Sequence, residues 1–274
     1  MNKIIDSIKN CPLAPGQTGI WYLGQEGFLF RHNDQYLLID PYLSYFADEN
    51  CCQFVKWERL YPAPVKAEEL DFIDTILVTH NHGDHADPDT LPVLMRINPN
   101  ARLVVPAPEK QTIAGFGIPA DRIIGAYADT SLEFDDFRIT PIPSAHETFH
   151  RDADGNYHEL GYILDTGDGR FFHSGDMCMY EGLMERLTDL DIAFLPINGR
   201  DWFRNRDDII GNFNCEEAVL LAKAAGAKML VPMHYDLYKV NQVSPITFME
   251  VLNRLNPGQA THLFVPGERY IFAR

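Results

Sequence analysis

Short hydrophobic runs bounded by Gly, Asn and Asp dominate the first 40 residues of the chain. The runs TGIWYLG, EGFLFR and QYLLID are rich in aromatic and β-branched residues, which predicts short strands joined by hairpins. After a less regular stretch from Pro41 to about Leu70, DTILVTH is an unbroken apolar run, which is typical of a strand buried on both faces. A helix is then predicted over residues 88–97, followed by a strand at RLVVP.

The second half of the chain repeats this plan. RITPIP, LGYIL, RFFHSGD, DIAFLPIN, KMLVPMH, HLFVP and RYIF predict strands. Asn214 and Glu217 form a capping box that predicts a helix running to about Gly226, and Ser244-Pro245 opens a last helix. Two successive halves of this kind, with no Pro/Gly/Ser-rich linker, predict an α/β fold with a single domain over residues 1–274, built as a four-layer αββα sandwich.

The composition limits the kinds of molecule that the protein is expected to bind. The chain has 274 residues, with 46% hydrophobic and 23% charged residues, as in ordinary globular proteins. The net charge of -16 repels nucleic acid and anionic membranes, so neither partner is predicted. Five cysteines without a C-x-x-C pair, and no apolar signal core, predict a cytoplasmic protein. Whether the chain forms a homo-oligomer stays open.

The segment THNHGDHAD, residues 79–87, is the strongest chemical signal in the sequence. It follows a predicted strand and contains three histidines and an aspartate: His80, His82, Asp84 and His85. Gly83 permits a tight turn, in which the first two histidines can face one metal ion while the aspartate and the third histidine face a second. Imidazole and carboxylate ligands suit zinc, manganese or iron.

Three later residues each follow the end of a predicted strand: His146 in PIPSAHE, Asp176 in FFHSGDM and His234 in LVPMHYD. Each one alone is a weak signal, because a single histidine after a strand is more often packed or hydrogen-bonded than metal-bound. Together with the first cluster they would complete two coordination shells, and Asp176 could bridge the two ions.

SAHETFH, residues 144–150, also contains H-E-x-x-H. On a helix this spacing would place His146 and His150 on one face to bind zinc, with Glu147 as the general base of a metalloprotease. However, TPIP before the segment and RDADGN after it leave room for barely one helical turn, and no third ligand can be assigned. We therefore predict that His146 serves the first cluster and that His150 is solvated or lies at the rim.

THNHGDH, with the later SAH, SGD and PMH, resembles the metallo-β-lactamase superfamily, whose pattern is H-x-H-x-D-H followed by His, Asp and His. The resemblance implies the four-layer αββα fold. It also implies two metal sites with a bridging carboxylate: His80, His82 and His146 at the first, Asp84, His85 and His234 at the second, and Asp176 between them.

Asp40, in LLIDPYLS, matches a position near the metal ligands of that superfamily. Chemistry alone allows a carboxylate at a strand end to accept the free N–H of a ligand histidine, which is the usual outer arrangement around a metal. The alternative is an ordinary turn aspartate before Pro41.

The runs GIWYLGQEGFLF, LLIDPYLS, FLPINGRDWFR, GNFNCEEAV and LVPMHYD are similar to the L-ascorbate-6-phosphate lactonase group. This closer resemblance implies a phosphorylated sugar lactone or a similar small anionic ester as substrate, and manganese as well as zinc. In NGRDWFRNRDD, Arg200 lies nearest the strand end and is predicted to bind the substrate anion through its bidentate fork. The alternative is surface ion pairing with neighbouring aspartates.

The sequence thus predicts a hydrolase that uses one or two Mn²⁺ or Zn²⁺ ions. Such ions lower the pKa of bound water from about 15.7 to roughly 7, which yields a hydroxide to attack an ester or lactone carbonyl. Asp84 and Asp176 are the predicted catalytic residues, because either could also carry a proton. A phosphodiesterase for small phosphodiesters and a mononuclear iron dioxygenase are the alternatives. A di-iron redox protein is disfavoured, because such members of the superfamily carry Glu where this chain has His82.

Overall fold

The strands formed by the described residues make up two seven-stranded sheets. A computed structural model describes residues 2–50, 55–207 and 209–274. The strands are, in chain order, β1 Thr18–Gly24, β2 Gly27–His32, β3 Gln35–Ile39, β4 Thr75–Leu77, β5 Arg102–Pro106, β6 Ile123–Ala126, β7 Leu132–Phe134, β8 Phe137–Pro143, β9 Leu160–Asp165, β10 Arg170–His173, β11 Ile192–Pro196, β12 Met229–Met233, β13 Ala260–Thr261 and β14 Arg269–Phe272.

The helices lie outside the two sheets and are mostly short. They are α1 Lys3–Lys9, α2 Phe46–Asn50, α3 Leu91–Ile97, α4 Lys110–Ala114, α5 Leu183–Arg186, α6 Trp202–Arg206, α7 Cys215–Ala224 and α8 Pro245–Leu255. Short 3-10 turns cover Ala67–Glu69, Ala107–Glu109, Ala120–Arg122 and Lys239–Asn241. Within the described ranges, no helix combines the length and the apolar content needed to cross a bilayer.

The two sheets are built alike. The first has the strand order β14-β1-β2-β3-β4-β5-β6 and the second has the order β13-β12-β11-β10-β9-β8-β7. In the first sheet β3 to β6 are parallel, and in the second β10 to β13 are parallel. The remaining neighbours in each sheet are antiparallel. This internal repetition matches the two halves predicted from the sequence.

Each sheet is buried on both faces. Along β1, the side chains of Ile20 and Tyr22 enter the core between the sheets, while Trp21 and Leu23 enter the core under α1 and α3. A third core packs the outer face of the second sheet against α7 and α8. Because successive residues of a strand point to opposite faces, burial on both faces explains why these strands read as continuous apolar runs. The predicted four-layer αββα sandwich is confirmed.

Most of the predicted elements are present, with shifted ends. The capping box of Asn214 and Glu217 starts α7, and Ser244 caps α8, which has a proline at its first position. The helix predicted over residues 88–97 begins only at Leu91. The strand predicted at HLFVP is wrong: β13 ends at Thr261. Its apolar signal comes from Phe264, which is buried between the sheets without belonging to a strand. Short elements that the sequence analysis did not predict are α1, α2, α4, α5, α6, β6 and β7.

The carboxyl ends of several strands meet at one edge of the sandwich. The loops after β3 and β4 leave the first sheet there, and the loops after β8, β10 and β12 leave the second. Loops at this edge can bring side chains from distant parts of the chain into one cleft, which is the usual place for a ligand in parallel sheets.

Candidate metal centre

The loop after β4 is closed by backbone hydrogen bonds. The N–H groups of His85 and Ala86 both donate to the carbonyl oxygen of His82, at 3.0 and 2.8 Å. Asp87 is buried behind this turn and accepts a hydrogen bond from the hydroxyl of Ser44, 2.8 Å away. The turn therefore presents several polar side chains of the motif toward the second sheet, although the loop itself spans only a few residues.

The first group of converging side chains contains three histidines and an aspartate whose candidate ligand atoms lie within 4.8 Å of one another: His80, His82, His146 and Asp176. His146 Nε2 lies 3.4 Å from Asp176 Oδ2, and His80 Nε2 lies 3.9 Å from the same oxygen. His82 joins the group through its Nδ1 atom, 2.9 Å from His80 Nε2. These contacts connect the loop after β4 with loops of the other sheet.

The second group contains Asp84, His85 and His234, whose candidate ligand atoms also lie within 4.8 Å of one another. His234 Nε2 lies 3.5 Å from Asp84 Oδ2, and His85 Nε2 lies 3.8 Å from that oxygen. Asp176 reaches this group as well, with Oδ1 3.4 Å from His234 Nε2 and Oδ2 3.7 Å from His85 Nε2. Asp176 thus contacts histidines of both groups.

The spacing of these atoms fits bound cations better than it fits hydrogen bonds. Distances of 3.4 to 3.9 Å are too long for N–H···O hydrogen bonds. Two ligands held about 2.1 Å from an ion at tetrahedral angles lie about 3.4 Å apart. His85 Nε2 and Asp176 Oδ1 are buried and have no hydrogen-bond partner among the described residues. The donor set therefore fits one or two divalent ions, and its chemistry suits zinc, manganese and iron alike.

Burial and neighbouring charges set the protonation states of the candidate ligands. Burial holds the pKa of His80 well below its ordinary value and lowers that of His146 to about 4, so both imidazoles are neutral at pH 7. Burial alone would raise the pKa of Asp84, but the charges of His85 and His234 outweigh it and the pKa falls below its ordinary range. Neutral imidazoles and an ionised carboxylate are the forms that bind a metal.

His85 and His234 behave differently while no cation is bound. Burial alone would lower the pKa of each imidazole, but nearby carboxylates, with Asp84 and Asp176 among them, outweigh it and raise the pKa of both. A bound cation would take the place of the extra protons, because metal binding releases protons from its ligands.

Asp40 holds His85 in place. Its Oδ2 atom accepts from His85 Nδ1 at 2.8 Å and from the hydroxyl of Thr79 at 2.6 Å, while Oδ1 accepts from the Thr79 N–H at 2.8 Å. The bond to Nδ1 turns the opposite nitrogen of the imidazole toward the second group. Asp40 has a φ of +42°, a strained conformation for a residue with a side chain. Its position is the one that the sequence suggested.

Two residues of the β1–β2 hairpin belong to this centre and escaped the sequence analysis. Gln25 donates from Nε2 to Asp84 Oδ2 at 2.7 Å, and the same nitrogen lies 3.1 Å from His234 Nε2. Glu26 is fully buried beneath the centre, where neither carboxylate oxygen has a hydrogen-bond partner and Oε2 lies 3.9 Å from His85 Nδ1; burial together with Asp176 raises its pKa. The signal was present: QE is the polar interruption of the apolar run TGIWYLGQEGFLF.

The H-E-x-x-H segment is not helical. Glu147 has a φ of +62°, and its carboxylate accepts from the Gly211 N–H and from Asn205 Nδ2, at 2.9 and 3.0 Å. His150 does not join either group: its side chain is 51% exposed, its Nδ1 atom lies 2.9 Å from Glu159, and it lines a neighbouring pocket with His80 and His82. The segment therefore brings His146 to the centre, whereas Glu147 links the segment by hydrogen bonds to α6 and to Gly211.

Arg200 is engaged elsewhere. Its guanidinium donates to both carboxylate oxygens of Glu217, at 2.7 and 2.6 Å, and to the carbonyl oxygen of Asn212. Glu217 in turn caps α7. The ion pairing considered for the loop is thus present: Arg200 pairs with a residue of α7, whereas Arg204 and Arg206 pair with the neighbouring Asp201 and Asp207. A substrate role for Arg200 stays a prediction.

A cavity of about 240 Å³ opens onto the two groups. Its lining includes Gly83 and five of the candidate ligands: His82, Asp84, His146, Asp176 and His234. The other lining residues are Ala47, Trp57, Ile209, Ile210 and Asn241. A small organic molecule in this cavity would lie directly against the candidate metal ligands.

The chain is similar in sequence to known proteins. The family model described as the β-lactamase superfamily domain matches residues 35–235. A UPF0173 metal-dependent hydrolase of Bacillus mycoides is 29% identical over 241 residues, which cover 84% of this chain and 91% of the relative.

Two solved structures share the fold. Igni18, a metallo hydrolase from Ignicoccus hospitalis, has a TM-score of 0.68 at 20% identity and covers 94% of this chain and 99% of its own. A possible metal-dependent hydrolase from Veillonella parvula has a TM-score of 0.73 at 15% identity, with coverage of 93% and 99%. The resemblance to the lactonase group stays a prediction.

Proposed function

Because the chain belongs to the metallo-β-lactamase superfamily, we propose that it is a metal-dependent hydrolase that cleaves an ester or lactone in the cavity described above. The observation that carries this proposal is the convergence of seven His and Asp side chains, with Asp176 in contact with both groups. The Bacillus relative, itself named a metal-dependent hydrolase, supports it.

Each group of ligands has a defined part in this reaction. Divalent ions bound here would supply a water of lowered pKa and would stabilise negative charge that develops on oxygen. The side chains of the two groups would hold such ions beside the cavity, and Asp40 fixes the orientation of His85 through its bond to Nδ1. Gln25 fixes the carboxylate of Asp84 through Oδ2.

Asp84 is the proposed proton carrier. It lines the cavity, where a carboxylate oxygen can reach a bound water. With Oδ2 engaged by Gln25, Oδ1 is the atom proposed to accept the proton of the attacking water and to pass it to the leaving oxygen. Asp176, with a side chain that is only 6% exposed, is better placed to join the two groups than to exchange protons.

The carbonyl substrate is the finer part of the proposal and is supported by the resemblance to the lactonase group. The phosphate group that this resemblance also implies stays a prediction, as do the phosphodiesterase and iron dioxygenase alternatives.

The test is turnover by protein of known metal content. Chelator-treated protein should be inactive, and reloading with Mn²⁺ or Zn²⁺ should restore hydrolysis of aryl esters and lactones. Bis(4-nitrophenyl) phosphate should turn over more slowly. Full activity in metal-free protein would refute the proposal. Preferential cleavage of the diester would favour the phosphodiesterase, and substrate-dependent oxygen consumption by iron-loaded protein would favour the dioxygenase.

A further inference from the structure

The part of the cavity lining that consists of neither Gly83 nor candidate ligands, here called the wall, is uncharged. It is formed by Ala47, Trp57, Ile209, Ile210 and the amide of Asn241. Among the described residues that line the cavity, none is a lysine or an arginine. The sequence places no lysine or arginine at positions 51–54 or 208 either. A substrate anion would therefore find no cationic side chain in this lining.

Arginines in neighbouring segments are engaged by other partners. Arg204 pairs with Asp201 at 2.7 Å and donates to the Asn198 carbonyl oxygen at 2.7 Å. Arg59 donates to the Tyr42 carbonyl oxygen at 3.2 Å and stacks on the Tyr42 ring. Arg200 is held by Glu217, as described above. Recruiting any of these guanidinium groups for a substrate would first require breaking bonds that stabilise the wall.

Asn241 offers a neutral donor instead of a cation. Its Oδ1 accepts from Arg204 at 2.9 Å and from Asn198 Nδ2 at 3.0 Å, which fixes the orientation of the amide. Its Nδ2 lies 3.5 Å from His234 Nδ1. A primary amide has two N–H donors, and His234 can engage only one of them, so Asn241 can donate to an acceptor in the cavity that it lines.

The centre itself adds little net attraction for an anion. The carboxylates of Asp40, Asp84 and Asp176 offset most of the charge of two divalent ions. The adjoining pocket of about 160 Å³ shares Ile209 and Ile210 with the cavity, and it is lined by a further carboxylate, Glu147. A charged group placed against this wall would lose its water without gaining a partner, which is costly.

We infer that the site takes an uncharged acyl group, whose apolar part lies against Trp57, Ile209 and Ile210 and whose hydrogen-bond acceptor lies on Asn241 Nδ2. This inference rests on the proposed hydrolase function and specifies its substrate class. It departs from the small anionic substrate that the resemblance to the lactonase group implied, because Arg200, the residue predicted to bind the anion, is paired with Glu217.

A matched pair of esters tests the inference. 4-Nitrophenyl butyrate and 4-nitrophenyl hemisuccinate have the same leaving group and the same acyl length, but the hemisuccinate ends in a carboxylate. For metal-loaded wild-type protein, after subtraction of the uncatalysed rates, kcat/KM for the butyrate should exceed that for the hemisuccinate at least tenfold. Equal values, or a preference for the hemisuccinate, would overturn the inference while leaving the hydrolase function intact.

One substitution should reverse this preference. Ile210→Lys places a cation on the uncharged wall at a half-buried position, and it should lower kcat/KM for the butyrate and raise that for the hemisuccinate. Ile246→Lys is the control, because it makes the same change of charge at a side chain on α8 that is 69% exposed. The control should keep the wild-type preference. A control that shifts the preference as much as Ile210→Lys would show that net charge, and not the wall, decides it.

Binding separates this inference from the proposed function. N-phenylbutyramide and succinanilic acid are the corresponding amides, and their binding to Zn²⁺-loaded protein can be measured by calorimetry without turnover. The neutral amide should bind at least tenfold more tightly. This result would support the inference even if neither ester were cleaved, a failure that would count against the hydrolase alone. Tighter binding of succinanilic acid would refute the inference whatever the activity.

Discussion

The two sheets contribute to the candidate metal centre in different ways. The first sheet supplies four candidate ligands from one six-residue loop after β4, residues 80–85. The second supplies three from separate loops, after β8, β10 and β12. In the second sheet these strands are not neighbours, since β9 and β11 lie between them. One half of the centre is therefore a local structure, whereas the other half exists only when five strands are in register.

This difference shows how a site can be divided between local and global structure. The turn closed on the His82 carbonyl positions the first-sheet ligands by backbone bonds within the loop. The second-sheet ligands depend on strand pairing over most of the sheet. Substitutions at residues that join the two halves should therefore have the largest effects, and substitutions outside the centre the smallest.

The largest effect is expected for Asp176→Asn. Asp176 contacts histidines of both groups, and an amide presents one oxygen instead of two. We expect metal affinity and turnover to fall by more than about 100-fold, the upper end for residues that only support a ligand. Elemental analysis and kcat/KM measure this, with circular dichroism to show that the fold is kept. Wild-type metal content in this variant would show that Asp176 does not join the two groups.

The second-largest effect is expected for substitution of His146, the first histidine of H-E-x-x-H, and not for substitution of His150, the second. His146→Ala should lose the ion of the first group and at least about 100-fold in turnover, because His146 is buried against Asp176. His150→Ala is its matched control. With a side chain that is 51% exposed, this variant should keep its metal and its rate within about twofold, since surface substitutions change little. Loss of metal in both variants would revive the metalloprotease interpretation.

Asp40→Asn tests whether Asp40 supports metal binding by holding His85, a ligand of the loop after β4. The amide retains the size of the side chain but has one acceptor oxygen for the three donors of Thr79 and His85. We expect metal affinity to fall by about 10- to 100-fold. Asp129→Asn provides the control, because Asp129 also has a positive φ, +61°, but lies on the surface paired with Arg186. A loss no greater than that of the control would show that His85 keeps its orientation without Asp40.

Arg200→Ala should have the smallest effect. The Arg200–Glu217 pair is partly exposed, with the arginine side chain 36% accessible, so its loss should cost about 0.2–1 kcal/mol and lower Tm by a few degrees. KM should change equally for a phosphorylated lactone and for its dephosphorylated analogue. Arg254→Ala, which removes the exposed pair with Glu216, is the control for stability. A tenfold rise in KM for the phosphorylated substrate alone would restore the predicted substrate role of Arg200.

The sequence by itself determined the class of the fold and the residue types of the centre. Apolar runs separated by turn residues indicated strands buried on both faces, and the capping box at Asn214 marked α7. The ligands of the HNHGDH loop could be predicted because a local turn holds them. Residues that are close together in this segment of the sequence are therefore also close together in the structure. The strand predicted at HLFVP failed because burial of Phe264 between the sheets produces the same apolar signal as a strand.

Only the tertiary structure decided which distant residues meet. The sequence suggested His146, Asp176 and His234 one by one, but their distances to the first-sheet loop depend on how the two sheets pack. It gave no role to Gln25 or Glu26, because a polar pair in a hairpin points to a centre only once the hairpin lies beneath it. Arg200 shows the reverse case. A guanidinium near a strand end has the reach to bind an anion, but the partner it finds depends on where α7 packs, and α7 brings Glu217 to it.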